Sequence, residues 1–185
     1  VAIANLVGAL VSAVDSSPVK LIGDSFGVDF NPTNALLRVV SDANQNLTIN
    51  PLTAAVTVNT ALNYVDGTTT DSGVACIMYN NNDNDPATAT TLYDIDTTLD
   101  MLVTQTPPAS GQLTTVGSLG VNTIGSQVVG CDIATVGGAN LAYAAMQTPD
   151  DDRSKLYSVN LITGAATFIG KIGGPEPLMS LSILP

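Results

Sequence analysis

Residues 47–58 read LTINPLTAAVTV, residues 92–103 LYDIDTTLDMLV and residues 156–170 LYSVNLITGAATFIG. The three stretches share one form. Leu47, Leu92 and Leu156 each open a run of β-favouring residues that reaches Ile49, Ile95 or Val159. Asn50, Asp96 or Asn160 follows at once, and Ala54, Asp100 or Gly164 stands four residues later. A second β-rich run then begins. An Asn or Asp side chain hydrogen-bonds the backbone ahead of it, and Gly accepts a positive φ, so each stretch reads as strand, tight turn, strand.

A second form alternates with the first. FGVDFN (26–31), VACIMYN (74–80) and VGCDIAT (129–135) are short apolar strands. Each leads through turn-forming residues to another strand: LLRVVS (36–41), TTLYDID (90–96) and ANLAYAAM (139–146). About four strands per unit and a period of roughly 40–50 residues predict a β-propeller-like array of four-stranded antiparallel blades. The expected organisation is an apolar segment with outer strands over residues 1–25, then a propeller-like domain over 26–185. VAIANLVGALVSAV (1–14) contains Gly and β-branched residues and reads as strand, not helix. LMSLSIL (178–184) reads as a fourth inner strand. Three full blades are expected, with a fourth completed by the two chain ends or by another subunit.

Composition excludes several functions. The chain has 185 residues, 45% hydrophobic, enough for one domain with a substantial core. Only 11% are charged, so Thr, Ser, Asn and Gly must supply most of the polar surface. The net charge is −11 with five basic residues, which provides no basic patch for nucleic acid or an anionic membrane surface. No apolar run is long enough for a membrane span. There is no histidine, so GDSFG (23–27) has no base to activate Ser25, and histidine zinc sites are ruled out.

FGVDFNPTNALLRVVSDANQNLTINPLTAAV, with the later TTLYDIDTTLDMLV and LYSVNLITGAATFIGKIG, resembles a family of exported bacterial and archaeal proteins described only as a domain of unknown function. The resemblance covers about residues 19–184. Its motif runs F-G-x-D-F-N-P, R-V-V-S-D, Q-N-L and N-P-x-T-G. It implies a propeller-like fold and export to the extracellular space or cell surface, and no particular activity. The resemblance also implies about one more blade ahead of the FGVDF stretch than residues 1–25 supply.

Several residues are candidates for function. Asp29 and Asp132 stand at matching inner-strand positions, where two carboxylates can hold a cation such as Ca2+. The competing reading pairs Asp29 with Arg38 across a hairpin. NNNDNDP (80–86), with Asp83 and Asp85, resembles part of a calcium loop but lacks its glycine and terminal glutamate, which favours a solvated turn. Asn46-Leu47-Thr48 is a sequon for N-glycosylation. Cys76 and Cys131 sit at matching positions of neighbouring units, either as free thiols or as a disulfide. No nucleophile, base and oxyanion site converges, and no resident cofactor is implied. The expectation is an exported, non-enzymatic structural subunit that forms homo-oligomers or homopolymers, such as a filament or surface layer. The alternative is a secreted module that binds glycan or another surface ligand through its loops.

Overall fold

The computed structural model describes residues 10–67, 72–82, 85, 87–123, 129–174 and 176–183. Among them the protein is all-β, with one short 3-10 turn at Pro108–Ser110 and no α-helix. Strand β1 (Val11–Ser12) precedes β2 (Phe26–Phe30), β3 (Leu37–Ser41), β4 (Asn46–Ile49) and β5 (Ala55–Val58). Then come β6 (Asn63–Tyr64), β7 (Val74–Tyr79), β8 (Leu92–Asp96), β9 (Met101–Gln105) and β10 (Gln112–Ser118). The last four are β11 (Val129–Val136), β12 (Ala139–Thr148), β13 (Asp151–Val159) and β14 (Ala166–Lys171).

Each unit of the repeat is an antiparallel meander of four strands. The first sheet runs β2-β3-β4-β5, the second β7-β8-β9-β10 and the third β11-β12-β13-β14. In the first two, a two-residue strand adds in parallel to the outermost strand, β1 on β5 and β6 on β10. The third sheet has a trace of the same device, because Ala166 N–H donates to Leu119 O at 2.9 Å.

The repeated turn forms as its residues dictate. Asn50 Oδ1 accepts from Leu52 N–H at 2.9 Å, Asp96 Oδ1 from Thr98 N–H at 2.9 Å, and Asn160 Oδ1 from Ile162 N–H at 2.9 Å. The chain then reverses through a left-handed residue: Ala54 (φ 59°), Asp100 (φ 55°) or Gly164 (φ 80°). Only the third uses the residue that adopts this conformation without strain. In the other two the side-chain bonds and flanking ladders hold the turn.

The first strands of the three sheets, β2, β7 and β11, lie side by side, with β7 in the middle. All six residues of β7 are buried. On one side, Val74, Ile77, Tyr79, Leu92 and Val103 pack with Val40 of the first sheet. On the other, Ala75, Met78, Ile95 and Leu102 pack with Ile133, Ala144 and Met146 of the third. A sheet buried on both faces has few places for charge, which accounts for much of the low charged fraction. The free face of the first sheet is covered by its own entering segment, where Leu10, Val19 and Phe26 pack on Val39, Leu47, Ile49 and Val56.

The expected joining of the two chain ends in one sheet is not what the described residues do. Strand β1 belongs to the first sheet, and residues 178–183 pair with no strand. Residues 1–9, most of the apolar N-terminal stretch, lie outside the described residues, as does Leu184.

Candidate functional site

Two glycines set how closely the innermost strands approach. A Cβ on Gly27 would lie 2.9 Å from Ile77 N, and a Cβ on Gly130 would lie 2.6 Å from Leu181 N. Neither position has room for a side chain, so the backbones come into direct contact. Two residues along, a carboxylate fastens each contact. Asp29 Oδ1 accepts from Phe30 N–H at 2.7 Å and Oδ2 from Tyr79 N–H at 2.6 Å. Asp132 Oδ1 accepts from Ile133 N–H at 2.8 Å and Oδ2 from Ile183 N–H at 2.6 Å. Residues 181–183 therefore stand to β11 as residues 77–79 of β7 stand to β2.

The two contacts differ in what lies beyond them. Met78 and its neighbours in β7 are laddered to β8. Residues 178–183 have Leu178 N–H on Ser154 Oγ at 2.8 Å and Ile183 N–H on Asp132. No backbone hydrogen bond joins Met179, Ser180, Leu181 or Ser182 to another described residue. The expected fourth inner strand thus has the place of a strand without its ladder.

Between β2, β11 and residues 180–182 opens a cavity of about 200 Å3, lined by Val28, Asp29, Phe30, Leu37, Asp132 and Leu181 among others. Burial pushes Asp29 up to about 6, against the two N–H bonds that favour its charged form, and the nearby Asp132 charge adds to the rise. This is the pair singled out as a cation site. Each of its four oxygens already accepts a backbone N–H. Among the described residues, no group of three His, Cys, Asp or Glu gathers that could hold a metal ion. The carboxylates act here as backbone fasteners.

The rival pairing of Asp29 with Arg38 is not formed. Asp29 does stand opposite Arg38 in the β2–β3 register. The Arg38 guanidinium nevertheless turns elsewhere, donating from Nη1 to Asn46 Oδ1 at 2.8 Å. Asn46 in turn is 1% exposed, and its Nδ2 donates to Thr60 O and Pro108 O, each at 2.9 Å. The sequon's asparagine is thus buried, with the nitrogen that would carry a glycan engaged in two backbone bonds.

Cys76 and Cys131 form a disulfide between β7 and β11, with Cα atoms 6.0 Å apart. Of the two readings open from the sequence, free thiols or a bridge, the bridge is the one formed, across the contact of β7 with β11. Asp85 closes a turn, accepting from Ala87 N–H at 2.9 Å. Asp83 lies outside the described residues.

Sequence reasoning missed what the asparagines of this loop do. Asn81 N–H donates to Asn140 Oδ1 at 3.0 Å, and Asn140 Nδ2 returns a bond to Asn81 Oδ1 at 2.8 Å. Asn82 Nδ2 donates to Ile133 O at 2.8 Å, while Thr135 N–H donates to Asn82 Oδ1 at 2.9 Å. Asn81 and Asn82 thus clamp the second sheet to the third. The available signal was polar: Thr135 and Asn140 flank the neighbouring hairpin and offer complementary groups. The acidic loop at 150–152 is locally neutralised, with Lys155 Nζ on Asp150 at 2.8 Å, and Arg153 and Lys171 on Asp151 at 3.0 and 2.7 Å. These bonds hold Asp150 down to about 2, led by the Lys155 contact, and hold Asp151 lower still, led by Arg153.

A family model described as a domain of unknown function (DUF4394) matches residues 1–182, and the chain belongs to that family. No curated protein matches the chain in sequence. The motif on which the resemblance was drawn is, in its physical content, a set of structural residues. Asp29 fastens β2 to β7, Arg38 and Asn46 bond each other, and Asn50 makes the repeated turn.

Proposed function

We propose that the protein is an exported structural subunit that assembles with copies of itself in an extracellular filament or surface layer, and has no enzymatic role. In this reading the three sheets are blades of a propeller-like array and residues 178–183 begin a fourth. The observation that carries it is the backbone of Met179–Ser182, held in the position of an inner strand yet without a ladder partner among the described residues. An open strand edge adds readily to another chain, because backbone hydrogen bonds supply affinity and alternating side chains supply fit. Met179 is 65% exposed and leaves apolar surface on this segment to cover. The low charge supports close packing between copies, since few ions would be desolvated. A disulfide of this kind persists outside reducing compartments, which supports export.

Sedimentation velocity over a wide concentration range, with negative-stain images of the same samples, tests the reading. Assembly that grows with concentration is expected. A compact monomer at every concentration overturns it. The second reading then takes its place: a binding module whose cavity between β2 and β11 accepts a small group of a glycan or other surface ligand. A glycan array with the monomer tests that reading.

A further inference from the structure

The side chains of the described residues leave five buried nitrogen or oxygen atoms without a hydrogen-bond partner: Arg38 Nε, Tyr79 Oη, both oxygens of Asp94, and Gln105 Oε1. All belong to one region, the core between the first and second sheets. Tyr79 and Asp94 are 2% and 0% exposed, Gln105 0% and Arg38 7%. The ladders explain the gathering. Asp94 of β8 lies between Ile77 of β7 and Val103 of β9. Tyr79 pairs with Leu92 one step along the same face, and the β8–β9 register carries Gln105 to the other side of Leu92. Both are thus diagonal neighbours of Asp94, within reach of long side chains. Arg38 enters from β3 and attracts the Asp94 charge, but the two form no ion pair.

Buried polar groups in folded proteins are almost always satisfied, and an unmet buried valence costs about 1–3 kcal/mol. Five such atoms in one place call for a ligand that meets them. Its chemistry follows from what is unmet. Arg38 Nε–H and Tyr79 O–H offer protons, while Asp94 and Gln105 offer lone pairs. The guanidinium disfavours a metal cation, and the burial that raises Asp94 well above the ordinary carboxylate range disfavours any further charge in the same core. A small neutral ligand that both donates and accepts meets the unmet groups. A cavity of about 20 Å3 lies on the Arg38 and Tyr79 side of the cluster, lined also by Asn31, Asn34, Leu36, Leu37 and Thr48, with Asp94 and Gln105 outside its lining. That is room for a single water molecule, which needs roughly 10–15 Å3.

We propose that the Arg38–Tyr79–Asp94–Gln105 cluster is a binding site for internal water, seated beside the Arg38 guanidinium and Tyr79 phenol and reaching inward to the carboxylate and amide. The water belongs to the junction of the first two sheets. Around it, Arg38 Nη1 bonds Asn46 at 2.8 Å, and the hydrogen-bond network turns the Asn59 oxygen toward the same nitrogen, also at 2.8 Å. Asn46 and Gln105 both donate to Pro108 O, which ties the cluster to the loop after β9.

The test needs no variant at first. A high-resolution crystal structure of the unmodified protein should show ordered water bonded to Arg38 Nε or Tyr79 Oη and reaching Asp94 or Gln105. Magnetic relaxation dispersion of water oxygen in solution should report at least one long-lived molecule. Asp94→Leu should lose that slow component, and Asp94→Asn, which keeps polar atoms and disturbs packing less, should retain it. Density in which Asp94 contacts Arg38 or Gln105 directly and no water is present overturns the proposal. So does a peak that coordinates as a metal ion, or a slow component unchanged in a folded Asp94→Leu protein.

Discussion

The β2–β7 contact and the contact of β11 with residues 181–183 are built from the same parts: a glycine that admits the neighbouring backbone and an aspartate that fastens it two residues later. The first lies inside the molecule, because β7 continues into a sheet buried on both faces. The second stops at a segment without a ladder. The same local chemistry therefore gives a rigid joint where a sheet stands behind it, and a held but open edge where none of the described residues does. The contact positions a strand, and the sheet behind it makes the strand immovable.

Covalent linkage should produce the largest effect. Between the two contacts compared lies the β7–β11 joint, the one that carries the disulfide. The bridge spans a sequence separation of 55, for which the loop-entropy relation gives about 4 kcal/mol. Replacing Cys76 and Cys131 with Ala and Val should lower the unfolding free energy by that order, measured with urea and circular dichroism. A loss below about 1 kcal/mol would mean that packing of β7 against β11 already restrains the unlinked chain.

The glycines come next. Gly27→Ala places a Cβ 2.9 Å from Ile77 N in a strand laddered on its other side, so nothing can yield cheaply. Overpacking of this kind costs about 2–3 kcal/mol. Gly130→Ala makes the closer clash, 2.6 Å from Leu181 N, yet residues 179–182 are free to shift. About 1 kcal/mol is expected there, with the C-terminal segment becoming a site of rapid proteolysis. Equal losses from the two substitutions would show that the two joints are equally rigid, and the comparison would fail.

How legible these features were in the sequence follows from the range over which each is determined. The turns at Asn50, Asp96 and Asn160 are local, set by a side chain two or three residues from its target, and they were readable. So were the four-stranded units, because alternation and turn spacing repeat. The partners of Asp29 and Arg38 were not. Their register was inferred correctly, but Asp29 reaches Tyr79, fifty positions away in sequence, and Arg38 turns inward to Asn46. A charged side chain opposite another suggests an ion pair only when both face the same space. Asn46 carried a sequon whose meaning depended on burial, and Asn81 and Asn82 sat in a loop that composition described as solvated. In each case a polar residue was read for its chemistry in water, whereas the fold uses it between sheets.

Acidity should distinguish Asp29 by a smaller amount. Burial raises its folded pKa to about 6, above the 3.8 of an unperturbed aspartate. The native state then holds more protons than the unfolded state between about pH 4 and 6, so stability falls as pH rises through that window and levels above it. The effect is about 2 kcal/mol, allowing for partial solvent screening. Asp94, shifted upward by burial, acts in the same direction. Asp150 and Asp151 act oppositely, but only below about pH 4, where their depressed values begin to matter. Thermal unfolding should therefore occur at higher temperature near pH 5 than at pH 7.5. A flat or rising profile over that interval would mean that the N–H bonds to Asp29 outweigh its burial.

The smallest effect on stability should carry the most information about function. Ser182 takes the place beside β11 that Met78 takes beside β2, one residue before the fastened N–H in each case. A proline at Met78 would break the β7–β8 ladder within a fully buried strand, which costs about 3 kcal/mol or more. Ser182 is exposed, and its N–H bonds no described residue, so Ser182→Pro removes no hydrogen bond among the described residues. A change within about 0.5 kcal/mol is expected. Strand addition is another matter, because the added strand needs the donors along 179–182, and proline takes one away while restricting the residue before it. If copies join through this edge, Ser182→Pro should leave the unfolding midpoint in place and weaken or abolish association in sedimentation velocity. Assembly that persists at wild-type strength in the folded variant would move the interface elsewhere, with the exposed outer face of β14 at Phe168 and Ile169 the next surface to alter.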